Sequence, residues 1–177
     1  MKALARTLFG LVALAPAVAF ACGPTRNKET TAIQIDAPAD KVWAVVGNYA
    51  DMSWNAAVIK TEPTGGSVPD VAKRTLTLKS GKVLTDVLTA VDPAEKSISF
   101  MTENEDTSAM PVRGYASKIS VQDNGGKAIV EWRGAFVRGY ANNDPPPDLN
   151  DDAAIKAVSA YQKAALASLK LKIESGS

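Results

Sequence analysis

Residues 149–173 restrict the fold more than any other stretch. They hold no Gly or Pro and are rich in Ala, Leu and Lys, which lose little side-chain freedom in a helix. On a 3.6-residue wheel, Ile155, Val158, Gln162, Ala165, Leu166, Leu169 and Ile173 share one face, while Lys156, Lys163 and Lys170 fall on another. Pro145, Pro146 and Pro147 precede the stretch, then Asp148, Asn150, Asp151 and Asp152. Acids suit the positive end of a helix dipole, and Asp148 or Asn150 is placed to cap it. Lys170 and Lys172 suit the negative end. Such an apolar stripe has to be covered, and the chain before it reads mostly as strands. The expectation is a sheet wrapped on one long C-terminal helix. Gln162, in the middle of the stripe, reads as a partly exposed or backbone-bonded amide, or as a polar group facing an internal cavity.

The other end of the chain carries an export pattern. Lys2 and Arg6 form a basic start, residues 8–20 are apolar but broken by Gly10 and Pro16, and Ala19-Phe20-Ala21 fits cleavage before Cys22. The apolar run is short for a membrane span. The reading is a signal peptide over 1–21 and one domain over 22–177, in the periplasm. Cys22 would be the first mature residue, the position a bacterial lipoprotein modifies, although Ala19 stands where a lipobox has Leu. Lipidation of Cys22 is therefore the alternative to a soluble form.

Charge and composition remove several classes of function. The chain has 20 basic and 19 acidic residues. Without Lys2 and Arg6, 18 basic residues face 19 acidic ones, so no strong field draws nucleic acid or an anionic membrane. Cys22 is the only cysteine and forms no internal disulfide. There is no histidine, which removes His-based acid–base chemistry, Ser-His-Asp triads and the commonest transition-metal ligand. No metal or cofactor is implied.

Between the two ends the periodicity is mostly two. Residues 30–36 alternate Ile33 and Ile35 with polar neighbours, and Pro38 then starts a helix bearing Val42, Trp43, Val45 and Val46, with Gly47-Asn48 as its stop. Tyr49 to Asn55 reads as a short helical or looped piece, taken as a second short helix, with Trp54 in the core or lining a pocket. Strands are expected over 58–61, 72–78, 82–91, 97–102, 114–121 and 128–138, with turns at Ser80-Gly81, Asp92-Pro93 and Asn124-Gly125-Gly126. Tyr115, Ser117, Ile119 and Val121 share a face, as do Val130, Trp132 and Phe136. Glu103, Glu105 and Asp106 lie in a loop that reads as solvated surface. The fold class is α+β: a curved antiparallel sheet of about seven strands around the long helix, with two short helices after the first strand. Such a sheet can enclose an apolar pocket against its helix.

This order resembles the helix-grip fold of the START/Bet v 1 superfamily, the SRPBCC or polyketide cyclase/dehydrase-like group. The resemblance is carried by residues 33–43, where a strand runs into a Pro-started helix bearing Trp43. Gly47-Asn48-Tyr49 leading to Trp54 adds to it, as do Asp86 before the Asp92 turn, Met110-Pro111-Val112 with Tyr115, and Val130-Glu131-Trp132. An exported single-domain chain with this opening is similar to the MxaD type of methanol-oxidation accessory protein. That similarity implies a non-enzymatic periplasmic role between methanol dehydrogenase and its cytochrome c.

Two other classes stay open. One is a carrier of a small hydrophobic ligand, with Trp54, Asp86, Tyr115, Trp132 and Gln162 as pocket candidates. The other is a cyclase-like enzyme, with Asp86, Arg74, Tyr115 and Gln162 as its polar groups. Asp86 shares a strand face with Leu84 and Leu88, and an inward carboxylate could act as acid or base. Both faces of that strand carry apolar residues, so its direction is open. Arg74 is expected to pair on the surface, and Tyr115 to be a core aromatic with its hydroxyl at the rim.

Overall fold

The computed structural model describes residues 23–104 and 106–176. The signal peptide expected over residues 1–21, Cys22 with its expected lipidation, Glu105 and Ser177 lie outside the described residues. The chain runs β1 (Asn27–Ile35), α1 (Ala39–Val46), β2 (Val58–Thr64), β3 (Lys73–Leu78), β4 (Val83–Asp92), β5 (Ser97–Thr102), β6 (Val112–Asn124), β7 (Lys127–Arg138) and α2 (Asp151–Ser175).

The strands form one antiparallel sheet in the order β1-β7-β6-β5-β4-β3-β2. From β2 to β7 each strand pairs with its neighbour in sequence. The turns follow local chemistry: Gly81 has φ +79°, and Gly125 and Gly126 have φ +65° and +85° between Asn124 and Lys127. Two consecutive positive φ angles are what a two-residue hairpin turn matching the sheet twist requires. The first strand departs from this neighbour rule and pairs with β7, Ile33 opposite Val130. Register shifts at Val58/Lys60, Leu88/Ala90 and Arg113/Ala116 bend the sheet, as bulges do.

Helix α2 lies against β1 and β7. Asn150 is its N-cap, its side chain accepting from the Ala153 N–H at 2.8 Å, and Gly176 closes the other end at φ +74°. Asp151 fastens the start to the sheet: it accepts from Asn27 Nδ2 at 2.6 Å and pairs with Arg138 at 2.9 Å. The buried face is Ala154, Val158, Gln162, Ala165, Leu166, Leu169 and Ile173. Ile155 belongs to the solvent side instead, with 36% of its surface exposed. Four-residue steps from 154 to 166 drift about 40° each around the helix, so the contact line reaches the first turn through Ala154.

A single short helix, α1, follows β1, where two were expected. Residues 48–57 form turns, because the Asp51 carboxylate accepts from both the N–H and the hydroxyl of Ser53. A local side-chain bond of this kind offers the backbone an alternative to helix. The segment is wedged under α2, with Tyr49, Met52 and Trp54 all buried. Ser168 of α2 holds it, donating to the Trp54 carbonyl at 2.8 Å and accepting from the Ala56 N–H at 3.1 Å. The loop thus contributes three large side chains to the core beneath the rod.

Candidate functional site

Two buried polar clusters interrupt the core beside an aromatic ridge. The ridge is Trp54, Trp132, Phe100 and Tyr161. Trp132 meets the other three rings edge-on, with centroids 5.7–6.1 Å apart. Trp54 and Trp132, both offered as pocket candidates, are therefore in contact and buried in the core. The Trp132 Nε1–H donates to Ser117 at 3.0 Å. Among the described residues, the Trp54 Nε1–H has no acceptor.

The first cluster is centred on Gln162. Its Nε2 donates to the Tyr115 hydroxyl oxygen at 3.2 Å, and its Oε1 accepts from Thr31 at 3.0 Å. Gln162 is fully buried, so it is neither partly exposed nor bonded to backbone. Its place depends on Gly134: a Cβ there would lie 2.8 Å from both Gln162 Nε2 and Tyr115 Cε2. The Tyr115 hydroxyl is inside, not at the rim. Burial pushes its phenol up to about 12, against smaller opposing effects of hydrogen bonds with Ser117 and Gln162. At neutral pH it is an uncharged hydrogen-bonding group.

The second cluster is Asp86 with Arg74, and it corrects the expectation of a surface arginine. Arg74 is only 3% exposed. It shares strand parity with Leu76 and Leu78, which face inward, so the backbone carries it into the core. Asp86 faces inward with Leu84 and Leu88. Asp86 Oδ2 accepts from Arg74 Nε and Nη2 at 3.1 Å each, and Oδ1 from Thr102 at 2.8 Å. Arg74 Nη1 donates to the Tyr49 carbonyl at 3.2 Å, and the Tyr49 hydroxyl donates to the Asp86 carbonyl at 2.8 Å. The guanidinium lies 4.4 Å from the ring centres of both Tyr49 and Phe100, a cation–π stack. Burial raises Tyr49, the larger influence, while Arg74 opposes it.

A cleft lies at the β5–β6 end of the sheet, between Leu84, Asp106, Met110 and Tyr115. Its water-sized space is about 10 Å³, enough for a single water. Gly114, at φ +56° in the β6 bulge, turns the strand just before Tyr115. Asp106 is exposed, and its bonds from the Ser108 hydroxyl and N–H hold it below the usual carboxylate range. Among the described residues no group of three or more His, Cys, Asp or Glu is placed to hold a metal ion.

Sequence reasoning named five pocket candidates. The fold brings Tyr115 and Gln162 into a bond and Trp54 and Trp132 into contact, and it places Asp86 in a separate ion-paired cluster. It missed Arg74 as a buried group, and Tyr49, Thr102 and Thr31 as its and Gln162's companions. For Thr31 and Arg74 the signal was strand parity. Thr102 carried the same parity signal, on the face of Ile98 and Phe100, and Tyr49 gave none.

A bent antiparallel sheet gripping one long C-terminal helix is the helix-grip, Bet v 1-like class of fold. The sequence matches the polyketide cyclase / dehydrase and lipid transport family over residues 27–174, and the chain belongs to that family. No curated protein matches it by sequence. Among solved structures it is similar to a Bacillus thuringiensis protein at 22% identity and TM-score 0.70, covering 84% of this chain and 99% of that one. It is likewise similar to the protein XoxI from Bacillus cereus, at 22% identity and TM-score 0.69, covering 83% and 95%. A Thalictrum flavum norcoclaurine synthase mutant, in complex with a transition-state analogue, matches at 13% identity and TM-score 0.60, covering 86% and 97%. These likenesses are of fold.

Proposed function

We propose that this chain is a non-enzymatic accessory protein of the periplasm that works by docking. One observation carries the reading: the only buried carboxylate among the described residues, Asp86, has both oxygens bonded and its charge held by Arg74, inside an interior packed by side chains. A general acid or base has to reach its substrate, and Asp86 does not. The finer reading, that the partners are methanol dehydrogenase and its cytochrome c, is supported by the resemblance of residues 33–43 and by the export pattern of residues 1–21. Electron transfer between the purified dehydrogenase and cytochrome should be faster with the protein present. An unchanged rate refutes this partner assignment.

A small-ligand carrier is the second reading. It is favoured by the lipid transport in the family's description. Native mass spectrometry of the purified protein should then show a retained ligand.

A further inference from the structure

The sheet has a second face, opposite α2, and its pattern is not that of an ordinary solvated surface. Cross-strand pairing lines up Val87, Met101, Ala116 and Ala135 on β4, β5, β6 and β7. Val87 is only 9% exposed although it is outside the core under α2, while Met101 is 43% exposed. The next row is Ser99, Lys118, Arg133 and Thr30. Between the rows lies a shallow depression of about 440 Å³ with a floor of small side chains. Its charged lining is Lys28, Lys118 and Arg133, with no carboxylate. Among the described residues Lys28 and Lys118 have no ion-pair partner, and Arg133 reaches Glu131 through Nε at 2.6 Å.

We propose that this outer-face depression is a docking site for an acidic protein surface, one that sets an apolar side chain against Met101, Ala116 and Ala135 and carboxylates against Lys28, Lys118 and Arg133. The inference rests on the accessory reading and deepens it by naming the face and the partner's chemistry. Charge complementarity selects the occupant: Lys28 and Lys118, which have no ion-pair partner among the described residues, with the Glu131-paired Arg133 beside an apolar floor, match an anionic rim around an apolar knob. A small-molecule site would instead be concave and enclose most of its ligand, whereas this depression is shallow.

The test is an amide NMR titration of the ¹⁵N-labelled mature protein, in two arms. One arm adds purified methanol dehydrogenase or cytochrome c. The other adds a synthetic peptide with a central Leu flanked by Asp and Glu. Shifts should centre on Ser99, Met101, Ala116, Lys118 and Ala135. The double variant Lys28→Glu/Lys118→Glu should bind about tenfold more weakly, while the control Lys156→Glu/Lys163→Glu on α2 should bind as the parent does. If the peptide reaches this face and neither redox protein binds, the docking site stands and the methanol-oxidation assignment falls. If a redox protein binds elsewhere, the accessory reading stands and the docking site falls. Shifts that miss this face in both arms overturn the inference. So does a self-association, seen in sedimentation, that Lys28→Glu/Lys118→Glu abolishes, because the occupant is then a second copy.

Discussion

Gln162 on α2 and Tyr115 on β6 are bonded at 3.2 Å across the helix–sheet interface, and Gly134 is the residue that lets them meet. The bond fixes the height at which the helix rides over β7. Gln162→Leu leaves the Tyr115 and Thr31 hydroxyls without this partner and should destabilise the fold by about 1–3 kcal/mol. Gly134→Ala should cost a similar ~1–3 kcal/mol by overpacking. Urea midpoints of the two single variants and the double variant check this. Because both changes act on one contact, the double variant should lose less than the sum.

Alkaline stability should report the buried phenols. Tyr115 is pushed up to about 12 in the folded chain, against about 10 for an exposed tyrosine. The unfolded chain therefore gives up this proton first as pH rises. The contribution is fully present below about pH 10 and is lost as pH climbs toward 12. Burial raises Tyr49 and Tyr161 in the same direction. Urea unfolding at pH 8 and at several points up to pH 11.5 should show a falling midpoint, and Tyr115→Phe should lessen the fall. An equal fall in Tyr115→Phe would mean this phenol is not the group responsible.

Breaking the Arg74–Asp86 pair and replacing it should have different consequences. Arg74→Met strands a buried carboxylate and should cost about 3–5 kcal/mol. Arg74→Met with Asp86→Leu removes both charges and should recover most of that loss. The remaining deficit comes from Thr102 and the Tyr49 carbonyl, which lose their partners. A double variant no more stable than Arg74→Met would show that the loss lies in packing between Tyr49 and Phe100, not in the stranded charge.

The packed interior predicts how the protein meets a hydrophobic dye. Wild type should give little fluorescence enhancement with an anilinonaphthalene probe. Met110→Ala, which opens the cleft beside Tyr115, should give a clear rise while losing about 2–5 kcal/mol of stability. Strong dye binding by the wild type would favour the carrier reading instead.

The elements whose signals are local could be read from the residues alone. Periodicity gave α2 and most of the strands, and Gly81 and Gly125-Gly126 marked their turns. Asn150 was one of two candidate caps. Strand parity also contained Arg74 as an inward residue, although a lone arginine among threonines reads as surface. Other features arise from contacts between distant segments, which no local pattern encodes. Pairing of β1 with β7 joins residues about a hundred positions apart. The partners of Asp86 come from three different segments, at 49, 74 and 102. Where residues 48–57 lie was likewise beyond local signals: Ser168 bonds the Trp54 carbonyl, a contact between segments that only folding brings together.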